Sequence, residues 1–469
     1  MKRLFKISAQ SMDSGEFIKF KKTTFYSAII GFFCFVISFY YFFPGFMSVD
    51  SLNQYIQAVN NQYGDWHPPI MSWVWRVLLK FSAGPSGLLF FQLTAFWSAL
   101  SIFAALLFRK PLHIALLICG IGFFPPIFTH IGIIWKDVEM AIGFALSIGF
   151  LFLAILKQNK LCLWTSLIPL FYGFSVRHNA PPSSIPILIF IGGVFTKLYF
   201  PQNSRKKNLK NIATLGVAAV IFIGFKTINN LHQKFTRVNH NYPVQQIWAY
   251  DFIGVSSQLK TVILPDFINK KYGPYQQSDI FKMYSPFSIV EIYNGSPKRM
   301  PYIYDKNEID TYCKDWIKMV TTHPKEYLLH RLRLWTTMLE LDRQFCGAPF
   351  IAGILPNDKN IVYEQTKVRT WIKKTYDLST SFGVKRILYG GWFYLTLNIF
   401  LLAFSIVFLK KNGWVPLLLV SCGLLYELPY LFVTTACDFR MHWWTALVNM
   451  ICIALLFSKQ TRDLDPWKT

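Results

Sequence analysis

The sequence predicts a mainly α-helical protein, a polytopic transmembrane bundle of about ten spans with a soluble outer domain late in the chain, and three observations carry that prediction. The 469 residues are 53% hydrophobic and only 15% charged, unlike a soluble chain of this size. Long apolar runs recur, several near the ~20 residues that a helix needs to cross the ~30 Å hydrocarbon core. Lysine and arginine gather in alternate short loops, the bias that orients membrane proteins. The 48 basic against 24 acidic residues give a net +24, which in a soluble protein would point to nucleic acid. Here the excess follows from topology, and no nucleic-acid partner is expected.

Taken in order, the basic N-terminus, with Lys2, Arg3, Lys6, Lys19, Lys21 and Lys22, is expected on the cytoplasmic side. The run 24–43 has no small-x-small cleavage site and is read as a retained signal anchor that delivers the chain outside at Pro44. The first outer loop extends to about Ser86 and contains an interfacial helix over 70–81, with Trp73, Trp75, Arg76 and Lys80. Run 87–107 returns to Arg109 and Lys110, run 112–128 goes out and is broken by Pro125-Pro126, and run 138–156 returns to Lys157 and Lys160. Runs 161–176 and 183–196 form the next hairpin, onto Lys197, Arg205, Lys206, Lys207 and Lys210, and run 209–225 leads out.

That divides the chain into an N-terminal transmembrane region (1–226, about seven spans), an outer domain (227–386) and a C-terminal transmembrane region (387–469, about three spans). The outer domain offers one amphipathic element, 310–341, broken at Pro324 and carrying Arg331 and Arg333, while 272–301 reads as irregular loop. Runs 390–409, 414–433 and 443–457 complete the bundle, placing both termini inside a multi-pass plasma (inner) membrane. Of the eight cysteines, Cys34, Cys119, Cys162, Cys422 and Cys452 fall in apolar runs and read as small buried hydrophobes. Cys313, Cys346 and Cys437 lie on the outer side, where pairing of Cys313 with Cys346 is one open arrangement.

Between Phe17 and Tyr250 the carboxylates are Asp50, Asp65, Asp137 and Glu139, and the topology puts all of them at the outer surface. A carboxylate near the apolar core costs roughly 2.5–3.5 kcal/mol on insertion scales, so these are functional candidates. Lys136, the run Arg177-His178-Asn179 and the run Asp438-Phe439-Arg440-Met441-His442 reach the same face, and Glu427 lies within the ninth run beside Pro429. Each group has a structural alternative. Asp50 suits a helix N-cap, Asp65-Trp66-His67-Pro68-Pro69 a rigid turn, and Trp135-Lys136-Asp137 an interfacial anchor with a local ion pair. Asp438, Arg440 and His442 could likewise form a self-satisfied surface pair, and Glu427 a structural hydrogen bond.

The run Met47-Ser48-Val49-Asp50-Ser51, with Gln54, Gln57-Ala58 and Asp65-Trp66-His67-Pro68-Pro69 behind it, follows the first span. A second acid follows the third span, and a large outer domain comes late. This layout resembles the GT-C superfamily of polyprenyl-phosphate-sugar-dependent glycosyltransferases, which includes protein O-mannosyltransferases and lipid A aminoarabinose transferases. The same run resembles a group of bacterial envelope proteins of GT-C-like layout. The resemblance implies an inverting transfer of a sugar from a polyprenyl-phosphate donor to an envelope glycan (polysaccharide or lipopolysaccharide), lipid or protein acceptor.

It further implies Asp50 as the base, with Asp137 next, and Lys136, Arg177, His178 and Arg440 as cations for the leaving phosphate. Asn179, His442, Asp65, His67, Gln54, Glu427 and Asp438 complete the implied substrate site, and Trp248, Tyr250 and Tyr272 are placed to stack on the acceptor. Many GT-C members carry two adjacent acids in the first loop, whereas Asp50 stands between Val49 and Ser51. A divalent cation, Mg or Mn, would therefore need Asp137, His67 or Asp65 beside Asp50. A flippase or transporter, a polymerase or ligase of lipid-linked glycans, and an anchoring protein are the rival readings.

Overall fold

The computed structural model describes residues 14–200, 207–294, 298–342, 346, 353–378 and 382–468. The basic residues Lys2, Arg3, Lys6, Arg205 and Lys206 lie outside the described residues. Among the described residues there are helices and isolated bridges but no strands.

The first apolar run forms α1 (Ser14–Phe42). The chain leaves it through Gly45, whose φ of +126° a side chain would strain, and reaches α2 (Val49–Asn60) and α3 (Pro69–Leu78) in the first loop. Next come α4 (Ser86–Leu107), then α5 (Pro111–Gly122) and α6 (Pro125–Ile131), bent by 66° where Pro125 and Pro126 cannot continue the ladder. The N-terminal bundle is completed by α7 (Lys136–Leu156), α8 (Lys160–Ser175), α9 (Ala180–Tyr199) and α10 (Lys207–Phe235).

Among the described residues six helices follow in the polar segment: α11 (Gln245–Leu259), α12 (Asp266–Tyr272), α13 (Gln277–Met283), α14 (Val290–Asn294), α15 (Lys306–Thr322) and α16 (Pro324–Met338). After them come α17 (Lys367–Leu378) and α18 (Phe382–Leu388), then α19 (Gly391–Val407), α20 (Leu409–Asn412), α21 (Trp414–Glu427) and α22 (Tyr430–Val433). A 3₁₀ turn, Phe439–His442, leads into α23 (Trp443–Phe457).

Every apolar run expected to span is helical, and the protein is a helical membrane protein by length and composition of those helices. Among the described residues seven helices are long and apolar enough to cross a membrane, or eight if the bent α5–α6 pair is one span. The other two segments, α8 at 16 residues and α19 at 17, fall short of that length. The centre of the bundle is α7, with 83% of its span buried, whereas only 17% of the α10 span is buried, which puts α10 at the periphery. Close approach of α7 and α8 depends on Gly143, where a Cβ would lie 2.6 Å from the Pro169 carbonyl oxygen.

Three expectations change. The α10 helix continues to Phe235, so the anticipated boundary at 227 falls inside a helix; the polar tail after Phe225 holds no breaker that would end it. Region 272–301 contains α13 and α14, which at 7 and 5 residues are too short to show a helical period. Cys346 pairs with Cys437, and Cys313 is a free thiol, because only the fold brings two segments 91 residues apart to a Cα separation of 5.4 Å.

Among the described residues two large cores form. One joins the spans with α2 and α3 and also takes in Met338, Leu339, Tyr363 and Tyr376, so the chain beyond α16 packs on the bundle. The other lies within the polar segment, from Trp248 to Leu334. Trp248 and Tyr250 are 7% and 0% exposed in that core, so neither is available to stack on an acceptor, while Tyr272 remains exposed.

Arg331 binds Asp251 through both oxygens, at 2.6 and 2.8 Å, and reaches the Thr434 carbonyl at 3.1 Å. Burial pushes the Asp251 carboxyl up to about 6 against the pull of Arg331. Ile289 and Cys437 add backbone bonds between segment 287–289 and segment 435–437. The polar segment is thus fastened directly to the chain that leads into Asp438.

Candidate functional site

The site is built on a strap between the first loop and the start of α7. Phe46 pairs with Ile133 as an isolated parallel bridge, and Ser51 Oγ donates to the Ile134 carbonyl at 2.7 Å. Ser48 caps α2, and its Oγ accepts a hydrogen bond from Trp135 Nε1 at 2.7 Å. Asp50 therefore emerges in the first turn of α2 at a place fixed by the residues just before Lys136, where the helix N-terminus also favours negative charge.

Asp50 Oδ2 receives a 2.6 Å bond from Arg440 Nη1, and its Oδ1 lies 3.8 Å from His67 Nε2. The other side of the guanidinium reaches Asp438 Oδ2 at 3.1 Å, and its plane sits 5.0 Å from the Trp135 ring. His67 is buried, and its Nδ1 lies 2.7 Å from Lys136 Nζ. An ammonium only donates, so His67 Nδ1 accepts and the ring proton sits on Nε2, facing Asp50. Burial, with Lys136 beside it, holds the His67 imidazole well below its ordinary value, against the pull of Asp50. Burial also raises the Asp50 carboxyl, but Arg440, His67 and Lys136 outweigh it and hold the group well below the usual carboxylate range.

Asp137, the next residue along, belongs to a second, buried group. It forms an ion pair with Arg177, whose Nη2 donates to Tyr430 Oη at 2.7 Å and whose Nε donates to Asn179 Oδ1 at 2.6 Å. Tyr430 donates in turn to Tyr426 Oη at 3.0 Å, and the guanidinium stands 5.9 Å from both phenol rings. Tyr426 and Tyr430 were not singled out by the sequence; the only signal was their spacing of four on either side of Glu427.

The remaining candidates occupy other positions. Glu427 and His442 form a buried pair at 3.0 Å, and His442 Nε2 faces the Met338 carbonyl at 3.1 Å. Both ring nitrogens thus face oxygens, Nδ1 the Glu427 carboxyl and Nε2 the Met338 carbonyl. The pair locks α21 to α23 and to the end of α16, and it does not contact Asp50. Asp65 turns away from the cluster: its carboxylate accepts from the Asn241 backbone N–H at 2.6 Å and meets His240 Nδ1 at 3.1 Å, while its carbonyl lies 3.0 Å from His178 Nε2. Gln54, one turn below Asp50, is buried, and its Oε1 has no partner among the described residues.

A divalent cation at Asp50, Asp137 and His67 does not fit this arrangement. Each carboxylate already faces a guanidinium, and His67 Nδ1 faces an ammonium. Among the described residues the one grouping close enough to share an ion is Glu340, Cys346 and Cys437, and its two sulfurs are joined in the disulfide.

Apolar grooves of about 970 and 460 Å³ lie on the bundle, the larger walled by α1, α4 and α7 and the smaller by α8, α9 and α10. Neither is walled by the charged residues. A third groove, of about 490 Å³, runs beside α2 and is lined by amides and aromatics.

Comparison with known proteins gives no match to any family model, to any curated protein or to any solved structure.

Proposed function

We propose that the protein is an inverting glycosyltransferase of GT-C type, spanning the membrane about ten times. It would move a sugar from a polyprenyl-phosphate donor to an acceptor at the outer face. The observation that carries this reading is the partly open carboxylate of Asp50, set among Arg440, Lys136 and His67 at the start of α2. The Cys346–Cys437 disulfide beside Asp438 supports an oxidising, external side for this cluster, independently of the loop charges.

The acceptor oxygen attacks the anomeric carbon from the face opposite the phosphate. The bond from that carbon to the phosphate oxygen breaks, and its electron pair leaves on the phosphate. The departing phosphate is already a stabilised anion, so the site needs cations more than a general acid, and Arg440 and Lys136 are placed to supply them. Asp50 takes the proton of the acceptor hydroxyl. While paired to Arg440 this carboxylate is a weak base. A donor phosphate that draws Arg440 to itself removes the principal partner holding the carboxyl down, so Asp50 becomes more basic as the donor binds. Arg177, held by Asp137 and the two tyrosines, positions the start of α7 and hence Lys136.

The test is mass spectrometry of envelope glycans from a deletion strain complemented with Asp50→Asn. A missing sugar, with the variant inserted normally in the membrane, is the expected result. Unchanged glycans would remove Asp50 as the base. Unchanged glycan structure with lipid-linked precursor trapped on the inner face would point to a flippase instead.

A further inference from the structure

The groove of about 490 Å³ beside α2 lies within the roughly 300–1,000 Å³ of pockets that hold small ligands. One wall is a row of amides, Asn53, Gln57 and Asn60, spaced by four and three along α2. That spacing puts them on the helix face that begins at Asp50, and at 1.5 Å per residue the row extends about 15 Å from it. Gln57 Nε2 donates to Asn53 Oδ1 at 2.8 Å, which fixes the orientation of both amides.

The facing wall comes from the polar segment, with Tyr302 and Tyr304. Tyr302 stacks on buried Tyr293 with ring centres 4.3 Å apart, and Trp66 abuts Tyr302 edge-on at 5.5 Å. Tyr304 beside them is 62% exposed. The two walls are tied together where Asp65 binds the Asn241 backbone and Gly64 pairs with Asn239.

Among the described residues no ionised side chain lines this groove, although the chain carries a net +24. Phosphates, acidic glycans and nucleic acid would find no counter-charge there. Amides offer a donor and an acceptor side by side, matching neighbouring hydroxyls, and aromatic rings pack on the C–H faces of sugar rings. Rings already held by Tyr293 and Trp66 lose little freedom when a ligand arrives.

We propose that this groove binds an uncharged oligosaccharide, which extends along α2 with its end at Asp50. Binding by the groove stands on its own lining. The further identification of that oligosaccharide as the acceptor rests on the transferase reading above.

The test uses the purified full-length chain in lipid nanodiscs. Saturation-transfer difference NMR is recorded with neutral tetrasaccharides built from glucose, mannose, galactose and N-acetylglucosamine, beside uronic-acid and sialylated counterparts. The expected result is saturation by at least one neutral tetrasaccharide, insensitive to salt and weakened at least ~10-fold by Tyr304→Ala and by Asn53→Ala. Both residues are exposed, so neither change threatens the fold. Failure of every neutral probe, binding of charged probes alone, or unchanged affinity in both variants would overturn the groove. Asp50→Asn separates the two ideas. If it binds the tetrasaccharide normally and still transfers sugar in the deletion strain, Asp50 is not the base while the groove stands; if the deletion strain itself lacks no sugar, the transferase reading fails and the groove still stands.

Discussion

Replacing Arg440 with Gln removes the guanidinium that lies 2.6 Å from Asp50 and 3.1 Å from Asp438, two carboxylates each about one-third exposed. A charge-assisted hydrogen bond contributes about 1.5–3 kcal/mol when sheltered, and solvent at this exposure brings each one to about 1 kcal/mol. The contact over Trp135 adds about 0.5–1 kcal/mol. Arg440→Gln should therefore cost about 2–3 kcal/mol. Asp50→Asn should cost about 1 kcal/mol, since Arg440 keeps Asp438.

The double variant should be less destabilised than the sum of the two by about 1 kcal/mol, because the shared bond is lost only once. Activity should respond on another scale. Loss of a phosphate cation lowers rates by about 10²–10³ and loss of a base by about 10²–10⁴. At 1.36 kcal/mol per decade, those losses are about 2.7–4.1 kcal/mol for Arg440→Gln and about 2.7–5.4 kcal/mol for Asp50→Asn, so the separation from the folding cost is clear for Asp50→Asn and small at the lower end for Arg440→Gln. Thermal unfolding of the purified full-length chain gives the first set of numbers, and envelope-glycan analysis of complemented strains gives the second. If the two changes are additive in stability, Asp50 and Arg440 do not share a network. If Arg440→Gln transfers sugar at the normal rate, Arg440 is not the phosphate cation.

Three further outcomes are expected. Arg177→Met leaves buried Asp137 without its cation and should cost about 3–5 kcal/mol, seen as loss of folded protein in the membrane, with partial recovery in Arg177→Met/Asp137→Asn. His67 has a depressed value in the folded protein, so the unfolded chain binds its proton first. Its contribution is complete above about pH 6.5 and is lost as the pH falls below that, by at most ~1.4 kcal/mol per pH unit. His67→Gln should flatten that part of the stability profile, and an unchanged profile would show that another group titrates there. Peptide mapping without reductant should recover Cys346 linked to Cys437 and Cys313 free. The Cys346→Ser/Cys437→Ser variant should lose up to about 4–5 kcal/mol, the entropy of a loop spanning about ninety residues.

How much of the site was legible follows from how far apart its parts lie in the chain. Asp50, Lys136, Arg177 and Arg440 stood out in the sequence because charged residues beside apolar runs are costly and few. Their partners did not. The pairing of Asp50 with Arg440 spans 390 positions, and that of Arg177 with Tyr430 spans 253. Nothing in the spacing of Asp65 separates a carboxylate that enters the cluster from one that fastens the loop to Asn241. Trp248 and Tyr250 looked available because aromatics in a polar segment resemble a binding face. Only the packing of α11 against α15 and α16 reveals that they are core.

The sequence by itself determined the helical class, the order of the apolar segments and the residues that are expensive to place at a membrane boundary. These are local quantities: hydrophobic length, the 3.6-residue period, and the positions of proline and lysine. Tertiary structure alone decided which opposite charges meet, which cysteines bond, and that Asn53, Gln57, Tyr302 and Tyr304 share one uncharged groove. Those depend on where α2, α7, α21 and the polar segment come to rest against one another. Contacts between segments hundreds of residues apart leave no periodic trace in a single chain.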